Sequence, residues 1–216
     1  MIVTSSYKEM NEDWFKRVSI SADRGKSAGY EGKYYQPLAP KKEFWRKWKD
    51  NRGIVPEEEN NRFYIEHYFD EVLKNLDPEK VYNELNNTIL LCYEDNNEFC
   101  HRHIVAAWLE LLLEIEVNEV KVEAMDLKIT DKPTYIKEEL EAYMRKTLNM
   151  KGFTSLKALY LFEKGNKYDD IADKLEKEGN ETSDSYRQMA AFLRSDADME
   201  EDRYKSKQKI FGKSSN

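Results

Sequence analysis

Two short stretches near the start of the chain carry the period of a β-strand. Ile2–Ser6 is β-prone and runs into Thr4-Ser5-Ser6, and Arg17-Val18-Ser19-Ile20-Ser21 alternates apolar with polar residues. Gly25, Gly29, Gly32, Pro37 and Pro40 then interrupt any regular period, so residues 23–40 read as a long loop, a feature that is often functional in compact domains. Lys41–Asp50 is predicted as a short helix closed by Asn51-Arg52-Gly53. Glu57–Leu76 is predicted as a second, with Ile65, Phe69, Val72, Leu73 and Leu76 along one face. Asp77-Pro78 opens a third, Asp77 as its cap and Pro78 in the first turn, where a missing N–H costs nothing. Thr88–Tyr93 is almost continuously apolar, which predicts a central strand buried on both faces, as in a parallel sheet. After a polar turn at 94–98, Phe99–Ile115 is a helix apolar nearly all round in its middle, so it should pack on a sheet. Val117–Glu123 alternates again. The order strand, strand, helices, strand, helix, strand predicts an α/β layer fold.

After Pro133 the pattern is helical throughout. Runs are expected at Tyr135–Leu148, Thr154–Lys164, Tyr168–Glu178 and Asp184–Lys205, with Gly165 and Gly179 where left-handed helix ends belong. Ile171 and Leu175, and Tyr186, Met189, Ala190 and Leu193, recur at helical spacing. The expected organisation is an α/β domain over 1–130, an all-helical extension over 131–205 and a disordered tail over 206–216.

With 40% apolar and 36% charged residues in 216, the chain has enough apolar material for a core and too much for a disordered polymer. No stretch approaches the roughly 20 apolar residues of a membrane span, and no basic-then-apolar leader is visible at Met1-Ile2-Val3-Thr4. Two cysteines, Cys92 and Cys100, cannot build a disulfide framework. The expectation is a soluble, cytoplasmic protein with no membrane partner. Net charge is −7, but its distribution matters more than its total. Between Lys16 and Arg52 there are 11 Lys/Arg against Asp23, Glu31, Glu43 and Asp50, interleaved with Tyr30, Tyr34, Tyr35, Phe44, Trp45 and Trp48. Basic and aromatic residues together suit phosphates and stacked bases. The plainer reading is that Phe44, Trp45 and Trp48 form the inner stripe of a helix whose lysines are solvated.

The densest chemistry lies in Cys92-Tyr93-Glu94 and Phe99-Cys100-His101-Arg102-His103. A buried strand, a short turn and a helix start place these residues at the carboxyl edge of a sheet, where ligands of open α/β folds bind. The helix N-terminus favours anions, and Arg102 adds a donor fork suited to phosphate or carboxylate. Cys100, beside His101, is a candidate nucleophile with a lowered pKa, and His101 a candidate acid/base. The phosphatase-type Cys-x5-Arg loop is absent: its arginine position holds Glu98 counted from Cys92, and Ala106 counted from Cys100. A metal on Cys92, Cys100, His101 and His103 is disfavoured because the spacing lacks a Cys-x2-Cys knuckle, so no metal is expected. The residues also fit a bland reading, in which the cysteines are small buried hydrophobes and His101 and Arg102 tie down loops. Ser5, Ser21, Asp23 and Arg24 would share this edge if the first two strands run parallel to Thr88–Tyr93. There is no Gly-rich dinucleotide fingerprint, Walker loop, His-Glu-x-x-His or Gly-x-Ser-x-Gly.

Ile2-Val3-Thr4-Ser5-Ser6, Val18-Ser19-Ile20-Ser21, Tyr35-Gln36-Pro37-Leu38-Ala39-Pro40 and, above all, Leu90-Leu91-Cys92-Tyr93-Glu94 with Phe99-Cys100-His101-Arg102-His103 resemble Domain of Unknown Function family 488 over about residues 1–125. The resemblance implies a small α/β domain with a Rossmann-like, mostly parallel, three-layer arrangement, and no established activity. The expected function is binding or acting on a phosphate-bearing ligand, a nucleotide or a nucleic-acid end. Cys100 and His101 would be catalytic, and Arg102, Arg24, Ser5, Ser21, Cys92 and Glu94 would bind the ligand. The alternative is a non-catalytic module that docks nucleic acid or protein through residues 16–52 and the helical extension. The residues identify no cofactor, and they do not set an oligomeric state.

Overall fold

The computed structural model describes residues 1–9, 16–123 and 126–211, with the side chain of residue 211 left out. By internal contacts the chain falls into two units, Met1–Met144 and Arg145–Asn216. The first is built on a six-stranded sheet of β1 (Ile2–Ser6), β2 (Arg17–Ser19), β3 (Lys33–Tyr34), β4 (Thr88–Cys92), β5 (Glu119–Glu123) and β6 (Asp126–Thr130), in the spatial order β3-β2-β4-β1-β5-β6. All pairings are parallel except β5 with β6. Ser6 pairs with Cys92 and Ser19 with Leu91, so β1, β2 and β4 end together at one edge. Ile89, Leu90, Leu91 and Cys92 are all buried, as expected of a central strand.

The helices of this unit are α1 (Lys42–Asp50), α2 (Glu57–Glu71), α3 (Pro78–Glu84), α4 (His101–Leu113) and α5 (Tyr135–Thr147), the last ending just beyond the boundary. Every residue of α4 from His101 to Leu109 is buried, and the helix packs on β1 and β4. α2 and α3 pack against α4, and α1 against α2. On the other side of β4, Ile89 and Leu91 join Val120, with Val3, Tyr7, Tyr30, Val122 and Leu127 packed on them. The mostly parallel sheet with flanking helices and a helical C-terminal part is consistent with the expected three-layer α/β class. Asp77 caps α3 as predicted, its Oδ1 accepting from the N–H groups of Glu79 (2.9 Å) and Lys80 (3.1 Å). Ile65, Phe69, Val72 and Leu73 are buried as the stripe predicts, although the helix gives way to a 3-10 turn at Leu73–Asn75.

Two strands have no counterpart in the sequence reading. β3 is two residues long and lies inside the predicted loop, and β6 pairs back on β5 with weakly apolar alternation. α5 is tied to α2 by Arg62 Nε to Glu139 (2.9 Å), Asn61 Nδ2 to Tyr135 (3.2 Å) and Tyr143 to Asp70 (2.6 Å). The division between units therefore falls within α5 rather than at Thr130.

The second unit is a helical hairpin of α6 (Leu156–Lys177) and α7 (Ser183–Phe211). Gly179 turns the chain with φ +69°, as a helix end requires. Gly165 does not end a helix: α6 runs through it, and an added Cβ would sit 3.1 Å from the Ala190 carbonyl oxygen of α7. Small residues make the seam, with Ala172, Ala190 and Ala197 fully buried, whereas Ile171 and Met189 of the predicted stripe are 42% and 45% exposed. Glu201 accepts from the N–H groups of Thr154 and Ser155, tying the start of α6 to α7. α7 stays helical past Lys205 to Phe211, and residues 212–216 of the expected tail lie outside the described residues.

Candidate functional site

The carboxyl ends of β2 and β4, the start of α4 and one side of α1 enclose a cavity of about 430 Å³. Its lining includes Cys92, Tyr93 and Glu94 from the strand end, Cys100 and His101 from the helix start, and Ser21 and Asp23 from the loop after β2. Trp45, Trp48, Lys49 and Arg52 come from α1 and the turn that follows it. Lys49, Arg52 and Ser27 are exposed, so the cavity opens to solvent, and its size is that of a small-molecule pocket.

Cys92, Cys100 and His101 are all buried, and their sulfurs and a ring nitrogen lie within 4.8 Å of one another. His101 Nε2 donates to the Ile20 carbonyl at 3.0 Å. That bond places a proton on Nε2; Nδ1 lies 3.5 Å from the Cys92 sulfur and 3.9 Å from that of Cys100, and the Cys92 sulfur is also 3.7 Å from Nε2. Glu94 Oε2 lies 3.5 Å from Cys92 Sγ. Burial opposes ionisation of Cys100, but the Cys92 thiol and the charges of Arg102 and His101 outweigh it and hold Cys100 below the ordinary thiol range. Burial and the neighbouring Cys100 push Cys92 up. Burial, with the charge at Cys100, also raises the Glu94 carboxyl to about 7.

A second cluster holds the loop after β2. Asp23 accepts from Tyr93 Oη at 2.5 Å, from the Ser27 hydroxyl at 2.8 Å and from the N–H of Gly25 at 3.0 Å. Burial would raise its carboxyl, but these bonds hold it well below the usual range. Ser21 Oγ accepts from the N–H of Gly25 (2.9 Å) and shares a hydrogen bond with Tyr7 Oη (2.9 Å). Gly25 is required here: its φ is +78°, and a Cβ would meet Tyr7 Oη at 2.7 Å.

Five of the eight predicted residues therefore meet at one cavity: Cys92, Glu94, Cys100, His101 and Ser21. Three are placed elsewhere. Arg102 is fully buried and is not part of the cavity lining, its Nη2 3.0 Å and Nε 3.1 Å from Glu119 Oε1, with a further bond from Nη2 to the Asp95 carbonyl (3.0 Å). The anion it was expected to find in a ligand is a carboxylate of the protein itself. Ser5 donates to the Val120 carbonyl across the sheet (2.6 Å), because alternation along β1 turns it from the edge. Arg24 is exposed and lies over the Tyr34 ring at 5.0 Å. His103 binds Glu119 Oε2 at 3.2 Å and is not with the cysteines.

Tyr93, Tyr64, Trp45, Trp48, Lys49 and Arg52 line the cavity without having been assigned to it from sequence. The basic-aromatic segment signalled four of them, but nothing local revealed that α1 would face the Cys-His turn. Phe44 and Trp48 are indeed an inner stripe, buried against Tyr64 at ring separations of 5.1 and 5.3 Å. Lys49 Nζ lies 4.6 Å from the Trp45 ring and the Arg52 guanidinium 5.0 Å from that of Trp48. Neither cation has an ion-pair partner among the described residues.

No curated protein and no solved structure matches the chain. A family model described as DUF488-N3a, the active DUF488-N3 subclade, matches residues 3–112. The match spans just over half of the 216 residues and takes in every residue that lines the cavity. With its central strand, its Cys-His turn and the aromatic wall opposite them all inside that span, the chain belongs to the DUF488-N3a family.

Proposed function

We propose that the cavity binds a phosphate-bearing ligand, a nucleotide or a nucleic-acid end, and presents it to the Cys92–Cys100–His101 cluster. One observation carries this reading: two cations with no ion-pair partner among the described residues, two indoles and a thiol-imidazole cluster line the same solvent-open cavity. Lys49 and Arg52 meet the phosphate, in place of Arg102. Trp45, half-buried, is the indole against which a base can lie once Lys49 turns from its ring to the phosphate. The two acids of the cavity oppose an anion less than their number suggests. The Asp23 carboxylate is already engaged by five donors, and Glu94 is partly protonated near neutral pH.

Calorimetric titration with nucleoside phosphates and with single strands carrying or lacking a 5′-phosphate tests the reading. Lys49→Ala and Arg52→Ala should each weaken binding by about 1.5–3 kcal/mol, the worth of a charged hydrogen bond. Affinity indifferent to the phosphate, or to both substitutions, would sink it. Lys41, Lys42, Arg46 and Lys47 are exposed on and beside α1 and do not line the cavity. Binding lost only when these four are neutralised would instead favour a docking module without a ligand pocket.

A further inference from the structure

We propose that Cys92, Cys100 and His101 hold a zinc ion whose fourth position faces the cavity. The argument is the spacing of the three donor atoms. Tetrahedral zinc, with bonds of about 2.3 Å to sulfur and 2.05 Å to nitrogen, needs donors separated by about 3.6 Å (sulfur to nitrogen) and about 3.8 Å (sulfur to sulfur). His101 Nδ1 stands 3.5 Å from Cys92 Sγ and 3.9 Å from Cys100 Sγ, and all three atoms fall within 4.8 Å of one another. The Cys92 sulfur also stands 3.7 Å from Nε2, so seating the ion in the plane of the ring asks the Cys92 side chain to turn, with the backbone in place.

The surroundings fit the same ion. Nε2 of His101 is held by the Ile20 carbonyl, the outer bond that fixes the ring of a metal-binding histidine and leaves the other nitrogen free to coordinate. Two thiolates and an imidazole select zinc over magnesium or calcium, which take oxygen. His103, the fourth residue of the metal set that the spacing argued against, is bound to Glu119, so the cluster stops at three. Three protein ligands and an open position are the pattern of a catalytic zinc rather than a structural one. The open position has Glu94 beside it, Oε2 being 3.5 Å from Cys92 Sγ, and the rest of the cavity beyond.

That this ion would polarise a phosphate oxygen or a bound water rests on the ligand reading above; metal binding itself rests on the three donors alone. Cobalt(II) added to reduced, metal-free protein should give one equivalent of four-coordinate absorption with a thiolate-to-cobalt charge-transfer band, and zinc should displace it. Cys92→Ser and Cys100→Ser should abolish the band. His101→Gln should weaken zinc by about 100-fold or more, beyond the roughly 10–100-fold typical of outer-shell partners. His67→Gln, at an exposed histidine paired with Glu71, should change nothing. Because variants in a buried cluster can misfold, the wild-type protein supplies a second readout: zinc should shield both thiols from alkylation, mapped by mass spectrometry. A cobalt spectrum without the charge-transfer band, or thiols alkylated equally fast with and without zinc, would overturn the proposal. Nucleotide affinity of the Lys49 and Arg52 variants, measured without metal, fails or holds independently of that result.

Discussion

Arg102 and Glu119 are both wholly buried, and their ion pair is closed by bonds from His103 and Thr4 to the same carboxylate. Removing one partner leaves the other charge in the core, so Glu119→Gln should destabilise the fold by about 3–5 kcal/mol in urea titration. The pair also sets an acid limit. Burial alone would raise the Glu119 carboxyl, but His103 and Arg102 hold it below its ordinary value. Its stabilisation is therefore complete above the unfolded carboxyl range near 4.5 and is lost as pH falls through the lower folded value. Denaturation midpoints taken between neutral and acid pH should show this dependence in the wild type and much less of it in Glu119→Gln. Arg102 also marks what a sequence conceals. A planar donor fork suits a phosphate and a buried carboxylate equally, and its partner lies 17 positions away, at the start of β5. Cys92, Glu94, Cys100 and His101 were legible because one short turn joins their strand to their helix, so their meeting is a local fact.

Among the elements, α4 and β4 announced themselves by being apolar on every side, and both are the buried centre of the fold. α1 was legible as a helix but not as a wall, since which neighbour its Trp45 and Lys49 would face depends on the packing of α2 beneath it. α6 shows the opposite error. Gly165 in a charged run looks like a stop, yet it lies where the Ala190 backbone of α7 comes closest. A side chain there gains helix propensity of about 1 kcal/mol and loses packing. Gly165→Leu should lower stability by about 1–3 kcal/mol in thermal unfolding, as overpacking does. A stabilised Gly165→Leu would mean that the hairpin has slack at this crossing.

For the molecule as a whole, the negative total charge hides a local pair of cations, Lys49 and Arg52, on the cavity lining. Binding through Lys49 and Arg52 should weaken with salt, log K falling against log salt with a slope of about −1.4 to −1.8 if two phosphates of a single or double strand are neutralised. A much steeper slope would show that the outer lysines of α1 take part. The cavity, its cluster and the ion pair behind it all belong to residues before Arg145. A chain of residues 1–150 should accordingly keep the near-ultraviolet circular dichroism of its buried tryptophans and, on the reading proposed above, bind nucleotides as the full chain does. The helical class of the C-terminal part was readable from its period, but the extent of each unit was not, because α5 is bound to α2 by side-chain bonds that no periodicity encodes.

The bond from His101 to the Ile20 carbonyl has a consequence for how occupancy could be observed. Ile20 immediately precedes the Ser21–Asp23 segment, so anything that shifts that segment pulls on the imidazole proton. Buried and bonded, this proton should exchange slowly enough to give a resolved resonance in nitrogen-15-enriched protein, a gauge of the pocket built into the fold and readable without any attached reporter group.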